Sequence, residues 1–303
     1  MIINNDLKPK IIRLSAGEVY VTPMPLRRDV SSSPWCYAAN LTPPMVVVDH
    51  DENDSNASTP SHKPLLPPGT NFLATQVWPS SRIASKVIEK QMDLSWTVCE
   101  LGCGPGLPSL TAARFGAMKV IATDVDPFAL ELVHAAAMEQ GLISITSGNP
   151  EGDDVATEFS RWDEEHLDQT RFTTRIFDLT SKDNPLPKAD LYVLSDVFES
   201  SAVAEGAAWH VQTVLSKNRS RIGTTILGDL VPQEGKEPPM SRVWVFAQSD
   251  RAQRELFLLK MREWYKENNN KQLRHLDWTL DHAPDLNDEL VLFDLDETSV
   301  EYN

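Results

Sequence analysis

Glu100-Leu101-Gly102-Cys103-Gly104-Pro105-Gly106-Leu107-Pro108 decides how this chain folds. Residues 97–101 before it read as a short buried strand, and residues 109–115 after it read as a helix. The glycines therefore fall where a strand turns into a helix. Without a Cβ the backbone there can bend sharply and come close to a ligand, and the N–H groups of the helix terminus face the same space. In an open parallel sheet, ligands bind at the carboxyl ends of the strands beside such a crossover.

Outward from this turn the pattern alternates. A second strand over 119–123 leads to Asp124, and Asp126-Pro127 opens a helix over 128–140. Strands are expected at 172–177, 191–194 and 222–227, then a long helix over 250–267 and strand candidates at 276–280 and 290–295. Upstream, Ser80-Ser81 precede Ile83, Val87 and Ile88, which predicts a capped helix with one apolar face. Strands alternating with helices imply an α/β domain, a Rossmann-like, doubly wound, mostly parallel sheet covered on both faces. This domain is expected to occupy residues 71–303.

Residues 1–70 read as a separate, irregular N-terminal extension. Residues 11–14 and 19–21 flank Ser15-Ala16-Gly17 and predict a small hairpin. Residues 42–70 carry Pro43, Pro44, Pro60, Pro64, Pro67 and Pro68 around an acidic and amide-rich run, the composition of a loop or linker. A second interruption lies at 143–170, with eight acidic residues against the single base Arg161. Val155, Phe159, Trp162 and His166 fall at helical spacing there, which predicts an inserted amphipathic helix. The insert either lines a cleft or packs as a surface elaboration.

The glycine turn carries the chemistry. A phosphate-cradling loop would need Gly-Lys-Ser/Thr, which is absent, and a nicotinamide fingerprint would need a third glycine where Leu107 and Ser109 stand. Glu100 precedes the first glycine by two positions, and Asp124 ends the next strand, where a carboxylate can accept hydrogen bonds from both hydroxyls of a ribose. A tight turn without a ligand leaves that pair of acids unexplained.

With these residues the sequence resembles the class I, seven-strand S-adenosylmethionine-dependent methyltransferases. Residues 100–109 are very similar to their first motif, and Thr75-Gln76-Val77-Trp78-Pro79-Ser80 resembles the Trp-Pro segment of methyltransferase family 16. That branch contains protein-lysine methyltransferases and nicotinamide N-methyltransferase-like relatives. The likeness spans about residues 72–230. It implies a seven-stranded sheet and S-adenosyl-L-methionine as cofactor. Glu100, Gly102 and Gly104 would hold the methionine end, Asp124 the ribose, and Asp178 the adenine amino group. Trp78 would pack beside the cofactor or serve as a core aromatic. On the acceptor side the branch has Asp-x-x-Tyr or Asp-x-x-Phe. Here Ser195-Asp196-Val197-Phe198-Glu199 keeps Asp196 but places Phe198 one position early and Glu199 at the aromatic position. Asp196, Phe198 and Glu199 are the expected catalytic-side residues, the carboxylates positioning an amine rather than acting as general bases.

Charge bounds the partners. Lys and Arg number 28 against 44 Asp and Glu, a net charge of −16. Nucleic-acid binding relies on a surplus of bases, which this chain lacks. A basic protein is the expected substrate, though solubility alone also accounts for the charge. Three cysteines without a Cys-x-x-Cys pair fit a reducing compartment, and no apolar run approaches the ~18 residues of a membrane span. The N-terminus has no secretory-signal pattern, so the expected location is the cytoplasm, with the nucleus also open.

The expected activity is thus N-methylation, of a protein lysine first, with a small-molecule amine or a non-catalytic, methyltransferase-like interaction module as alternatives. Asp294-Leu295-Asp296-Glu297-Thr298 imitates a phosphatase nucleophile motif, but only five residues follow it, too few for the rest of that fold. No metal site is expected, since His166 has no second ligand at suitable spacing.

Overall fold

The computed structural model describes residues 10–14, 17–25, 35–39, 72–143, 172–227, 241–268, 277–280 and 290–295. The expected hairpin is present as β1 (Lys10–Leu14) and β2 (Gly17–Pro25), antiparallel with Ile12 opposite Val19. A third strand, β3 (Trp35–Ala39), pairs antiparallel with β2, so the extension contains a small sheet of its own rather than irregular chain alone. The proline-rich stretch and the acidic insert lie outside the described residues.

After a 3-10 turn at Phe72–Thr75 comes α1 (Pro79–Gln91), then β4 (Thr97–Leu101), α2 (Leu107–Arg114), β5 (Lys119–Asp124) and α3 (Pro127–Glu139). β6 (Phe172–Ile176), β7 (Leu191–Ser195), α4 (Ser201–Leu227), β8 (Arg242–Gln248) and α5 (Arg254–Glu267) complete the layers. Two short segments, β9 (Thr279–Leu280) and β10 (Leu290–Leu295), add at the β8 side. The strand order is β6-β5-β4-β7-β8-β10-β9, and every pairing is parallel. The five strands β4 to β8 carry the site. The N-terminal sheet meets them through helices, with β3 beside α2 and α3.

Two expectations are corrected. Residues 222–227 are the end of α4, not a strand: no proline interrupts 201–227, and the helix runs through. The fifth strand is β8, whose Val243 to Gln248 are buried on both faces. The Ser80-Ser81 cap of α1 is also absent. Trp78 is the N-cap, without a side-chain bond, and Pro79 starts the helix by virtue of its fixed φ. The cap of α3 is as read, with Asp126 accepting from the Phe128 amide at 2.9 Å.

Alternation along each central strand divides the core into two layers, as expected for a sheet buried on both faces. Leu191, Val193, Trp244 and Phe246 join α1, α2 and α3. Cys99, Leu101, Tyr192, Leu194, Val243 and Val245 join α4 and α5. β4 and β7 are sheet neighbours although β5 and β6 intervene in the chain. That is the topological switch point, and their carboxyl ends open the crevice described next.

Candidate active site

The turn after β4 is built on left-handed backbone. Gly102, Gly104 and Gly106 have φ of 72°, 48° and 70°. Space excludes a side chain as well. A Cβ on Gly102 would stand 2.7 Å from Val197 Cγ1, and one on Gly106 would stand 2.7 Å from Val133 Cγ2. The turn is tied to β5 by the Cys103 amide, which donates to the Thr123 carbonyl at 2.8 Å.

Asp124, at the end of β5, links the turn to α3. Its Oδ2 accepts from the Gly104 amide at 2.8 Å and its Oδ1 from the Asp126 amide at 2.9 Å. Burial raises its carboxyl above the ordinary range, and these amide bonds pull the other way. The cavity above the turn encloses about 850 Å³ of empty space when its open mouth is counted. Trp78, Gly102, Gly104, Asp124, Asp178, Asp196 and Glu199 all line it, so seven of the nine expected site residues come together.

Two do not. Glu100 is buried behind the turn, where its Oε2 accepts from the amide and hydroxyl of Ser109 at 2.9 and 2.5 Å. It fastens α2 to β4 and does not line the cavity, and desolvation pushes its carboxyl up to about 8. Phe198 is also buried, its ring 5.2 Å from Phe257 and 6.1 Å from Trp278, so it is a core residue and not an acceptor-pocket aromatic.

Asp196 has a different setting from the one expected. It is the one non-glycine residue of positive φ (61°) among the described residues, and Arg251 grips it with Nε at 3.1 Å and Nη2 at 2.9 Å. The same guanidinium lies 4.4 Å over the Trp78 ring. Arg251, in the turn after β8, is a site residue that sequence reading missed. Its position just past a strand's carboxyl end was the available signal. With Asp196 engaged by Arg251, Glu199 is the exposed carboxylate of the lining. Desolvation, with Asp124 and Asp196 nearby, raises its carboxyl above the usual range.

Asp178 takes part in a tight turn, its Oδ1 accepting from the Thr180 amide at 2.8 Å and hydroxyl at 2.7 Å. Apolar Val125, Phe177, Leu179 and Val203 line the same cavity. The cavity lining thus combines apolar side chains with the carboxylates of Asp124 and Asp178, which suits a nucleoside.

Residues 65–143, which include the turn and Asp124, match the family Ribosomal protein L11 methyltransferase (PrmA). The chain carries a Rossmann-like α/β fold whose glycine-turn segment is similar to these methyltransferases. Among curated proteins, the ribosomal protein L11 methyltransferase of Dechloromonas aromatica (strain RCB) is 35% identical over 81 residues, 27% of each chain. That of Chloroflexus aurantiacus is 32% identical over 88 residues, 28% of this chain and 26% of the relative. The ribosomal protein L11 methylase structure from Lactobacillus delbrueckii subsp. bulgaricus is 17% identical with a TM-score of 0.29, covering 48% of this chain and 53% of that one. The methyltransferase match thus spans about a quarter of the length of the curated relatives. It supports the class I assignment and not the narrower methyltransferase family 16, whose acceptor motif this chain already departs from at Glu199.

Proposed function

We propose that this protein is an S-adenosylmethionine-dependent methyltransferase acting on an amine nitrogen of a basic protein, with a lysine side chain as acceptor. One observation carries the reading: the Gly104 amide and the Asp124 carboxylate are bonded at the head of a cavity that also holds Asp178. The residues present fit the cofactor. A Cβ on Gly104 would press on the Ala74 carbonyl oxygen at 3.2 Å in the cavity lining, Asp124 can take the ribose hydroxyls, and Asp178 with Val125 and Phe177 suits the adenine. When bound, the cofactor supplies a methyl group already activated on a sulfonium.

The protein's task is then placement, which can supply much of the rate. Glu199 at the mouth can hold the incoming amine by charge and hydrogen bonding, whereas Asp196 is committed to Arg251. A lysine amine of ordinary pKa ~10.4 must lose its proton before attack, and partial burial in the cleft favours the neutral form. The protein acceptor is supported by the matched relatives, named for methylation of a ribosomal protein, and by the carboxylates of the cavity. Incubation with labelled donor and a lysate, followed by separation of proteins from small molecules, tests it. Label on lysines of basic proteins is the expected result, and label confined to small molecules would move the acceptor class.

A further inference from the structure

The cavity wall holds four carboxylates, Asp124, Asp178, Asp196 and Glu199, and a single cation among the described residues, Arg251. We propose that Arg251, together with Ser81 at the start of α1, forms the subsite for the α-carboxylate at the amino-acid end of the cofactor. The proposal deepens the methyltransferase reading and rests on it.

The guanidinium is held on two sides and open on a third. Nε and Nη2 are engaged by Asp196, Nη2 also meets Gln248 Oε1 at 3.3 Å, and the plane lies over Trp78. Nη1, which carries two further N–H donors, has no partner among the described residues, and Arg251 is 24% exposed in the wall. Ser81 lines the same wall. Its Oγ receives the Ser195 hydroxyl at 3.2 Å and keeps its own proton to donate. α1 begins here without a side-chain cap, so its terminal amides add positive potential.

An anion completes this arrangement, and the rest of the cavity repels one. Asp124 and Asp178 occupy the nucleoside end, so the zwitterionic amino-acid portion must lie towards Trp78, Ser81 and Arg251. There the carboxylate meets the cation, while the ammonium is drawn to the acidic side of the wall. The turn after β8 would thereby anchor the donor lengthwise, with Asp196 and Trp78 fixing the orientation of the anchor.

The test is calorimetric and needs no acceptor. S-adenosylhomocysteine carries the carboxylate and 5′-methylthioadenosine lacks it, so the two ligands isolate the subsite. Arg251→Gln should weaken S-adenosylhomocysteine binding about 10- to 100-fold, the loss of a charge-assisted bond set, and leave methylthioadenosine within about 2-fold. Arg251→Lys, which keeps the charge but not the fork, should fall between. An equal loss for both ligands would mean that Arg251 only props the wall through Asp196, and would overturn the proposal. Unchanged binding of both would take Arg251 out of the carboxylate subsite and overturn it too. If the unaltered protein binds neither nucleoside, the methyltransferase reading itself fails, a result separate from the variant's behaviour.

Discussion

Glu100 joins the end of β4 to the start of α2 behind the glycine turn. Its carboxylate is buried against α2 and bonded to Ser109. Because desolvation raises its folded pKa to about 8 from the ordinary 4.5, the folded state binds the proton more tightly than the unfolded state. Stability from this group is therefore full below about pH 4.5 and is lost as pH rises through about 8. Glu100→Gln keeps an acceptor for Ser109 and cannot ionise, so denaturant melts between pH 5 and 8 should show a flatter profile than the unaltered protein. A variant with the same slope would take Glu100 out of the account. The glycines give a second prediction. Gly106→Ala must place a Cβ 2.7 Å from Val133 at a φ of 70° and should cost about 1–3 kcal/mol in chemical denaturation. At this scale the glycines and Asp124 were legible from the strand ends beside them, whereas Asp178 came from the family resemblance. The Asp196–Arg251 pair was not, since its partners are 55 residues apart and meet only when β7 and β8 pair. Phe198 was set on the acceptor side by resemblance to a family motif, and the fold buries it against Phe257 and Trp278.

Elements were legible where apolar runs were bounded by strong punctuation. β4, β5, α2 and α3 lie close to their expected positions, with glycine or Asp-Pro marking their edges, and β7 does so as an apolar run alone. The failure at 222–227 came from a β-branched stretch without a boundary before it, in a segment where helix continuation wins. β8 was missed although Arg242-Val243-Trp244-Val245-Phe246 is the type of run a central strand shows. A structural pin also lies here: Asn218 of α4 donates Nδ2 to the Ser241 carbonyl at 2.8 Å and accepts the Ser241 amide at 3.1 Å. Asn218→Ala leaves both backbone groups of Ser241 without that partner. It should cost about 1–3 kcal/mol in denaturant melts while nucleoside affinity, measured by calorimetry, stays unchanged. Gly206 sets a closer link between α4 and the cavity, because a Cβ there would overlap the Leu179 carbonyl. Gly206→Ala should shift that wall and weaken nucleoside binding as well as stability, so the two α4 variants separate folding from binding.

Across the whole molecule, a parallel sheet with its switch point between β4 and β7 gathers residues from position 74 to position 251 around one crevice. The alternation of strands and helices was enough to foresee that crevice, while the composition of its acceptor side depended on pairings between distant strands. A net charge of −16 and a carboxylate-rich wall should steer a basic acceptor. KM for such a protein should rise with salt as the attraction is screened over ~8–10 Å. A KM insensitive to salt would remove charge from acceptor selection. The claim on which the rest depends is that the crevice takes S-adenosylmethionine through the glycine turn and Asp124. Calorimetry of the full chain with S-adenosylhomocysteine and, separately, with NAD tests it most directly. The account predicts binding of S-adenosylhomocysteine, weakened about 10-fold or more in Asp124→Ala, and none of NAD. Binding of NAD without S-adenosylhomocysteine, or an Asp124→Ala variant of unchanged affinity, would contradict it.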